Sequence, residues 1–99
     1  MNRPALQDAL RDRDAVLRAF VAPDGSLRSM PTKVRKRLVV LDLIAQEFEV
    51  GRTYAETEAN AVLRGFHPDV AALRRYLVEE EFLERRDGLY WRAGGTVQP

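Results

Sequence analysis

Hydrophobic side chains recur at spacings of three, four and seven residues along the beginning of the chain, with Arg and Asp between them. This spacing places the apolar groups on one side of a helix, so we predict an amphipathic N-terminal helix over residues 1–22. Asp24-Gly25 is a turn pair and Pro31 cannot continue a helix, which makes residues 23–31 a predicted turn and linker. The apolar stripe consists of Leu6, Leu10, Leu17, Phe20 and Val21.

The next helical pattern, residues 32–48, is apolar on two sides. At about 100° per residue, one set of side chains forms a narrow stripe, while Val39 and Leu43 project from nearly the opposite side. The rest of the domain must cover one side, and the N-terminal helix, from the same chain or from a dimer mate, is the natural cover for the other. Thr32 is the expected N-cap. The stripe consists of Val34, Leu38, Leu41, Ala45 and Phe48.

Two further helical patterns and a hairpin follow a short strand-like piece, "RTY". "ETEANAVLRGF" and "HPDVAALRRYLVEEE" are helical, and in the second Asp69 suits the positive end of the helix dipole. "FLERRDGLYWR" is two strand-like runs joined at Asp87-Gly88, where glycine accepts positive φ without steric cost. Tyr90 and Trp91 are adjacent on one strand, so only one of them can enter the core.

The patterns predict a mainly α protein with a small β-hairpin, an α+β fold. Helix, short strand, helix, helix and hairpin is the order of a winged helix, whose third helix enters a DNA major groove while the hairpin lies along the backbone. We therefore expect a winged-helix-like domain over residues 32–95, followed by a tail at 96–99. The predicted DNA contacts are basic residues of the helix over 32–48, of the helix that precedes the hairpin and of the wing: Lys33, Arg35, Lys36, Arg37, Arg74, Arg75, Arg85 and Arg86.

Each basic group also has an alternative partner within the chain. Arg74 and Arg75 can pair with Glu79 or Glu80, or face solvent, and such surface pairs are weak. The positive charges of residues 33–37 can meet acidic residues of the protein itself instead of phosphate. The acidic residues 79–81, with Glu84 beside them, would repel a DNA backbone that they faced.

Composition restricts the function further. The chain has 99 residues, 45% of them hydrophobic and 31% charged, which is typical of one globular domain. A net charge of +1 argues weakly against a general nucleic-acid coat. The sequence has no cysteine and no apolar run that could span a membrane, so we expect a cytoplasmic protein with no disulfide or thiolate zinc site.

Nothing in the sequence indicates catalysis. It contains no phosphate-binding glycine loop and no metal-ligand spacing, and its one histidine, His67, is expected at a helix start. Glu56 and Glu58 are two residues apart, so on a helix their carboxylates point away from each other and are unsuited to paired acid–base chemistry. We expect no enzymatic activity and no cofactor.

The motifs "KVRKRLVVLDLIAQEFEVGRTYAETEANAVL", "LRRYLV" and "GLYWR" resemble the bacterial family known as domain of unknown function 2087, over roughly residues 27–95. Members of that family occur alone or fused behind helix-turn-helix domains, so the resemblance implies a role in gene regulation. The chain departs from the family pattern at Ala55, where a Ser or Thr cap is usual, and Thr53 is the expected replacement cap. It also has Glu81 where a glycine often precedes the wing.

We therefore expect a DNA-binding transcriptional regulator that forms a homodimer, since paired half-sites favour symmetric regulators. The alternative is a winged-helix module for protein–protein interaction or dimerisation, whose basic faces complement an acidic protein partner and which makes no contact with DNA.

Overall fold

The computed structural model describes residues 5–97, and it confirms an α+β fold with a small antiparallel sheet. Residues 1–4 of the predicted N-terminal helix and residues 98–99 of the predicted tail lie outside the described part. In chain order the elements are α1 (Leu6–Ala9), a 3₁₀ turn (Leu10–Asp12), α2 (Arg13–Phe20), α3 (Val34–Ala45), β1 (Thr53–Ala55), α4 (Glu56–Arg64), α5 (Val70–Glu79), β2 (Leu83–Arg86) and β3 (Leu89–Arg92).

Helix α3 is the central element and is covered on two sides, as its two apolar faces predict. Leu41 and Ile44 are fully buried, and so is Val39 from the other face. Both α1 and α2 pack against α3 of their own chain, with Ala9 and Val16 buried at that contact. The cover that the sequence requires is therefore supplied within one chain.

The segment between α2 and α3 is docked on the rest of the domain. Val21 and Leu27 form an isolated antiparallel bridge around the Asp24-Gly25 turn. The buried Leu27 also donates its backbone N–H to the carbonyl oxygen of Phe66 just after α4, at 2.8 Å. This contact ties the N-terminal helical pair to α4 as well as to α3.

The sheet has the order β1-β3-β2, so the short strand predicted near residue 53 adds a third strand to the hairpin. In the register, Tyr54 lies opposite Tyr90 and Tyr90 lies opposite Arg85. Because side chains alternate along a strand, these three share the face that turns toward the helices. Asp87 and Gly88 both have positive φ, 53° and 79°, which confirms the predicted two-residue turn.

Two of the predicted caps are wrong. Lys33, not Thr32, is the N-cap of α3, and its side chain makes no capping hydrogen bond. Thr53 lies within β1, and the N-cap of α4 is Ala55, whose backbone N–H donates to Glu58 Oε1 at 3.0 Å. Glu58 thus supplies the half of a capping box that needs no hydroxyl at the cap.

The ends of α5 are both well defined. Asp69 caps the start, accepting a hydrogen bond from the Ala72 backbone N–H at 3.1 Å. At the other end, the N–H groups of Glu81 and Phe82 donate to carbonyls of the last helical turn, which is a Schellman motif. Glu81 occupies its left-handed position with φ of 67°, where glycine is usual.

The segment after β3 is anchored by a buried carboxylate. Asp42 of α3 is 4% exposed and accepts hydrogen bonds from the Thr96 backbone N–H (2.7 Å) and hydroxyl (2.9 Å). Gly95 allows this approach, because a Cβ at that position would lie 3.0 Å from Asp42 Oδ1. The beginning of the predicted tail is therefore part of the packed domain.

Candidate nucleic-acid interface

A groove of about 240 Å³ runs between α5 and the wing, where "wing" means the β2–β3 hairpin, residues 83–92. Three of the arginines that the sequence singles out come together there, with one carboxylate among them. The lining consists of Ala71, Arg74, Arg75, Val78, Glu79, Arg85 and Tyr90.

Arg75 lies on the side of α5 opposite the core. Leu73 and Leu77 are buried, and at about 100° per residue a position two away from each of them lies on the opposite side of the helix. Arg75 is exposed and makes no ion pair with any of residues 5–97. Its guanidinium therefore stands on the outer surface of α5, available to a ligand that approaches the helix from solvent.

Arg85 and Arg86 lie on opposite faces of the wing. Arg85 is opposite Tyr90 on the face toward the helices, with its guanidinium carbon 5.9 Å from the centre of the tyrosine ring. Arg86 is opposite Leu89 on the outer face, 3.8 Å from Asp87, and its side chain is 83% exposed. Of these two wing arginines, Arg85 lines the groove and Arg86 does not.

Arg74 is bound inside the protein. Its Nη1 donates to Glu56 Oε1 at 2.8 Å and to the Tyr90 hydroxyl at 3.0 Å, while that hydroxyl donates to the same Glu56 oxygen at 3.2 Å. The Arg74 side chain is only 18% exposed. The three residues join the start of α4, the middle of α5 and β3.

The basic segment 33–37 is divided between internal and exposed groups. Arg35 donates to the Asp8 carbonyl at 2.6 Å and lies 3.8 Å from Asp12, which fastens α3 to the N-terminal helices. Arg37 donates to the Thr32 carbonyl at 3.0 Å and lies over the Tyr76 ring at 5.2 Å. Lys33 and Lys36 are exposed and form no ion pair within the described residues.

Acidic groups lie close to these cations. Glu79 lines the groove itself. Glu84 is opposite Trp91 on the outer face of the wing, away from the groove. Trp91 is the half-buried member of the aromatic pair, and Tyr90, 1% exposed, is the one that enters the core. The basic character of the groove is therefore local and is reduced by Glu79.

The sequence did not predict that Glu56 and the Tyr90 hydroxyl bind Arg74, and both residues were expected to have other roles. Glu56 precedes Tyr90 by 34 residues. No local pattern connects positions so far apart in the chain, and only the pairing of β1 with β3 brings them together.

Glu58, which the sequence analysis considered together with Glu56, has different partners. Glu58 accepts hydrogen bonds from the Ala55 N–H and from Arg52, and these donors hold the pKa of its carboxyl below the ordinary value. Glu56 and Glu58 thus bind separate donors.

Within residues 5–97, His and acidic side chains form no group of three that could hold a metal ion. No helix in that range is long and apolar enough to cross a bilayer.

Comparison with known proteins gives a family. Residues 26–92 match the model of a family described as "Uncharacterized protein conserved in bacteria (DUF2087)". The match covers more than half of the chain, so this protein belongs to that family. It begins at Ser26 and thus leaves out α1 and α2. Neither the curated proteins nor the solved structures contain a significant match.

Proposed function

We propose that this protein is a DNA-binding transcriptional regulator of the winged-helix type, in which α5 enters the major groove and the wing lies along the sugar–phosphate backbone. The element order α3-β1-α4-α5-β2-β3 and the sheet order β1-β3-β2 support this proposal. In a winged helix the helix that precedes the hairpin reads DNA, and here that helix is α5.

The observation that carries the proposal is that Arg75 and Arg85 line the same groove, one on α5 and the other on the wing. Arg75 is exposed on the outward surface of α5, and Arg85 rises from the adjacent strand of the wing. A guanidinium on the outward face of a helix is placed to reach base edges or phosphates, and one on the wing is placed to reach the backbone.

The remaining exposed cations have supporting roles in this proposal. Arg86, at the tip of the wing, is directed to solvent and can meet a phosphate. Lys33 and Lys36 lie exposed at and just inside the start of α3, where they can meet a phosphate. Arg35, Arg37 and Arg74 already have partners in the chain, so we assign them to the support of the fold rather than to the first contact with DNA.

Fluorescence anisotropy of a short labelled duplex tests the proposal. Folded protein should bind the duplex at low salt, and the logarithm of the binding constant should fall linearly with the logarithm of salt concentration. The slope should be about −0.9 for each phosphate contacted. The five exposed cations that this proposal assigns to DNA predict a slope of about −4.5 if the chain binds as a monomer and each of them meets one phosphate.

Absence of binding at low salt would overturn the proposal and favour a protein-interaction module. The homodimer stays a prediction that light scattering tests. Since α1 and α2 cover α3 of their own chain, dimerisation does not follow from an uncovered face of α3. It is expected only from the symmetry of paired DNA half-sites.

A further inference from the structure

Glu56 holds Arg74 in the way that a bound phosphate would. One carboxylate oxygen accepts both from the guanidinium, at 2.8 Å, and from the Tyr90 hydroxyl, at 3.2 Å. Guanidinium and hydroxyl groups are donors that commonly bind phosphate oxygens in protein–DNA complexes. The Glu56 side chain is 53% exposed, so solvent reaches this pair from outside.

The other two guanidinium nitrogens of Arg74 can bind a second partner. Its Nε is buried without a hydrogen bond, and within residues 5–97 its Nη2 makes none either. The same side chain lines the groove that contains Arg75 and Arg85. An anion in that groove would meet three guanidinium groups and the carboxylate of Glu79, and Glu56 neutralises one of the guanidinium groups.

We propose that Arg74 and the Tyr90 hydroxyl form a phosphate-binding subsite beside this groove, and that the Glu56 carboxylate occupies the subsite as an autoinhibitory ligand. This inference rests on the proposed function, because the phosphate is that of the DNA backbone. Glu56 keeps Arg74 out of the contact with DNA, which lowers the affinity for all sequences. It also stops a third arginine from strengthening non-specific binding.

The test compares four proteins on one labelled duplex over a salt series: the parent chain, Glu56→Gln, Glu47→Gln, and the double variant Glu56→Gln with Arg74→Gln. Glu47 is exposed and does not line the α5–wing groove, so its variant is matched in charge. The double variant has the net charge of the parent. Circular dichroism and urea unfolding establish that each protein is folded. If Glu56→Gln does not fold, Glu56→Asp replaces it, because this variant keeps the charge but withdraws it by one methylene.

Glu56→Gln should add about one phosphate contact, which steepens the salt slope by about 0.9. The ratio of its affinities at low and fourfold higher salt should then be roughly 3.5 times that of the parent. Glu47→Gln should keep the parent slope, and the double variant should return to it. Glu56→Asp should give a slope between those of the parent and Glu56→Gln.

The outcomes separate the two proposals. If the parent binds DNA but Glu56→Gln has the slope of Glu47→Gln, or if the double variant keeps the steeper slope, the subsite is wrong and the proposed function stands. If neither the parent nor Glu56→Gln binds at low salt, both proposals fail. Binding by Glu56→Gln alone supports the subsite, since the released Arg74 then supplies the missing contact, and overturns the function proposed for the parent chain.

Discussion

Arg92 Nη1 lies 2.7 Å from the carbonyl oxygen of Ala45, the last residue of α3, although 47 residues separate the two in the chain. The same nitrogen donates to the Phe48 carbonyl at 3.0 Å, and the other guanidinium nitrogens donate to carbonyls of Gly94 and Thr96. A cation at the carbonyl end of a helix is also favoured by the helix dipole. This single side chain therefore joins α3, β3 and the segment after it.

Replacing Arg92 with Ala should lower the free energy of unfolding by about 2–3 kcal/mol, because four carbonyl groups lose a charged donor. Urea denaturation followed by circular dichroism measures the change. Arg86→Ala is the control, since that side chain is 83% exposed, and it should change the free energy of unfolding by less than about 0.5 kcal/mol. Equal costs for the two variants would show that the Arg92 contacts do not stabilise the fold.

Glu81→Gly should stabilise the protein by up to about 1 kcal/mol. A side chain at φ of 67° is strained, and glycine removes that strain at the expense of greater freedom in the unfolded chain. Thermal unfolding of the variant and the parent gives the comparison. A lower melting temperature would mean that the contacts of the Glu81 side chain outweigh the strain.

Glu58→Gln should remove a pH-dependent part of the stability. The pKa of Glu58 is lowered in the folded protein, chiefly by the Ala55 N–H and then by Arg52. The stabilisation is therefore complete above the unfolded-state pKa and is lost as the pH falls through the lower folded-state pKa. Urea unfolding at neutral pH and through an acid series should show the parent more stable than the variant at neutral pH, with the difference shrinking in acid. A difference that is constant with pH would contradict this assignment.

Tyr90→Ala should lower the free energy of unfolding by about 3–5 kcal/mol, because the ring is buried and its hydroxyl binds Arg74. In so small a domain this loss is enough to unfold most of the molecules. Trp91→Ala should cost clearly less, since Trp91 is half-buried on the outer face of the wing. Circular dichroism of the two purified variants distinguishes them. A folded Tyr90 variant beside an unfolded Trp91 variant would reverse the assignment of the two faces.

The periodic features of the fold were predictable from the sequence. The two-sided burial of α3 follows from spacing alone, and the Asp87-Gly88 turn follows from its residue types. The alternation of strand side chains predicted that one aromatic of the pair is buried. It did not select Tyr90, because that choice depends on the register with β1 and on the position of α5.

Contacts between distant positions were not predictable. Asp42 appears in a helical apolar run, and its partner Thr96 follows 54 residues later, in a segment interpreted as tail. The predictions of the helix caps were wrong for a related reason. Thr32 and Thr53 are good capping types, but the backbone forms β1 at residue 53, and Glu58 satisfies the start of α4 instead. The basic segment 33–37 divides into internal and exposed groups only once α3 is packed, because Arg35 then binds the Asp8 carbonyl and Arg37 lies over the ring of Tyr76 in α5.

The most direct test of the proposed DNA-binding surface compares Arg75→Ala/Arg85→Ala with Arg18→Ala/Arg64→Ala by duplex anisotropy over a salt series. Arg18 and Arg64 are exposed and lie outside the α5–wing groove, so the two double variants lose the same charge at different places. We expect the groove variant to bind more weakly, with a slope shallower by about 1.8. The control should keep the slope of the parent. Equal slopes for the parent and both variants, with all three proteins folded, would contradict the assignment of this groove to DNA.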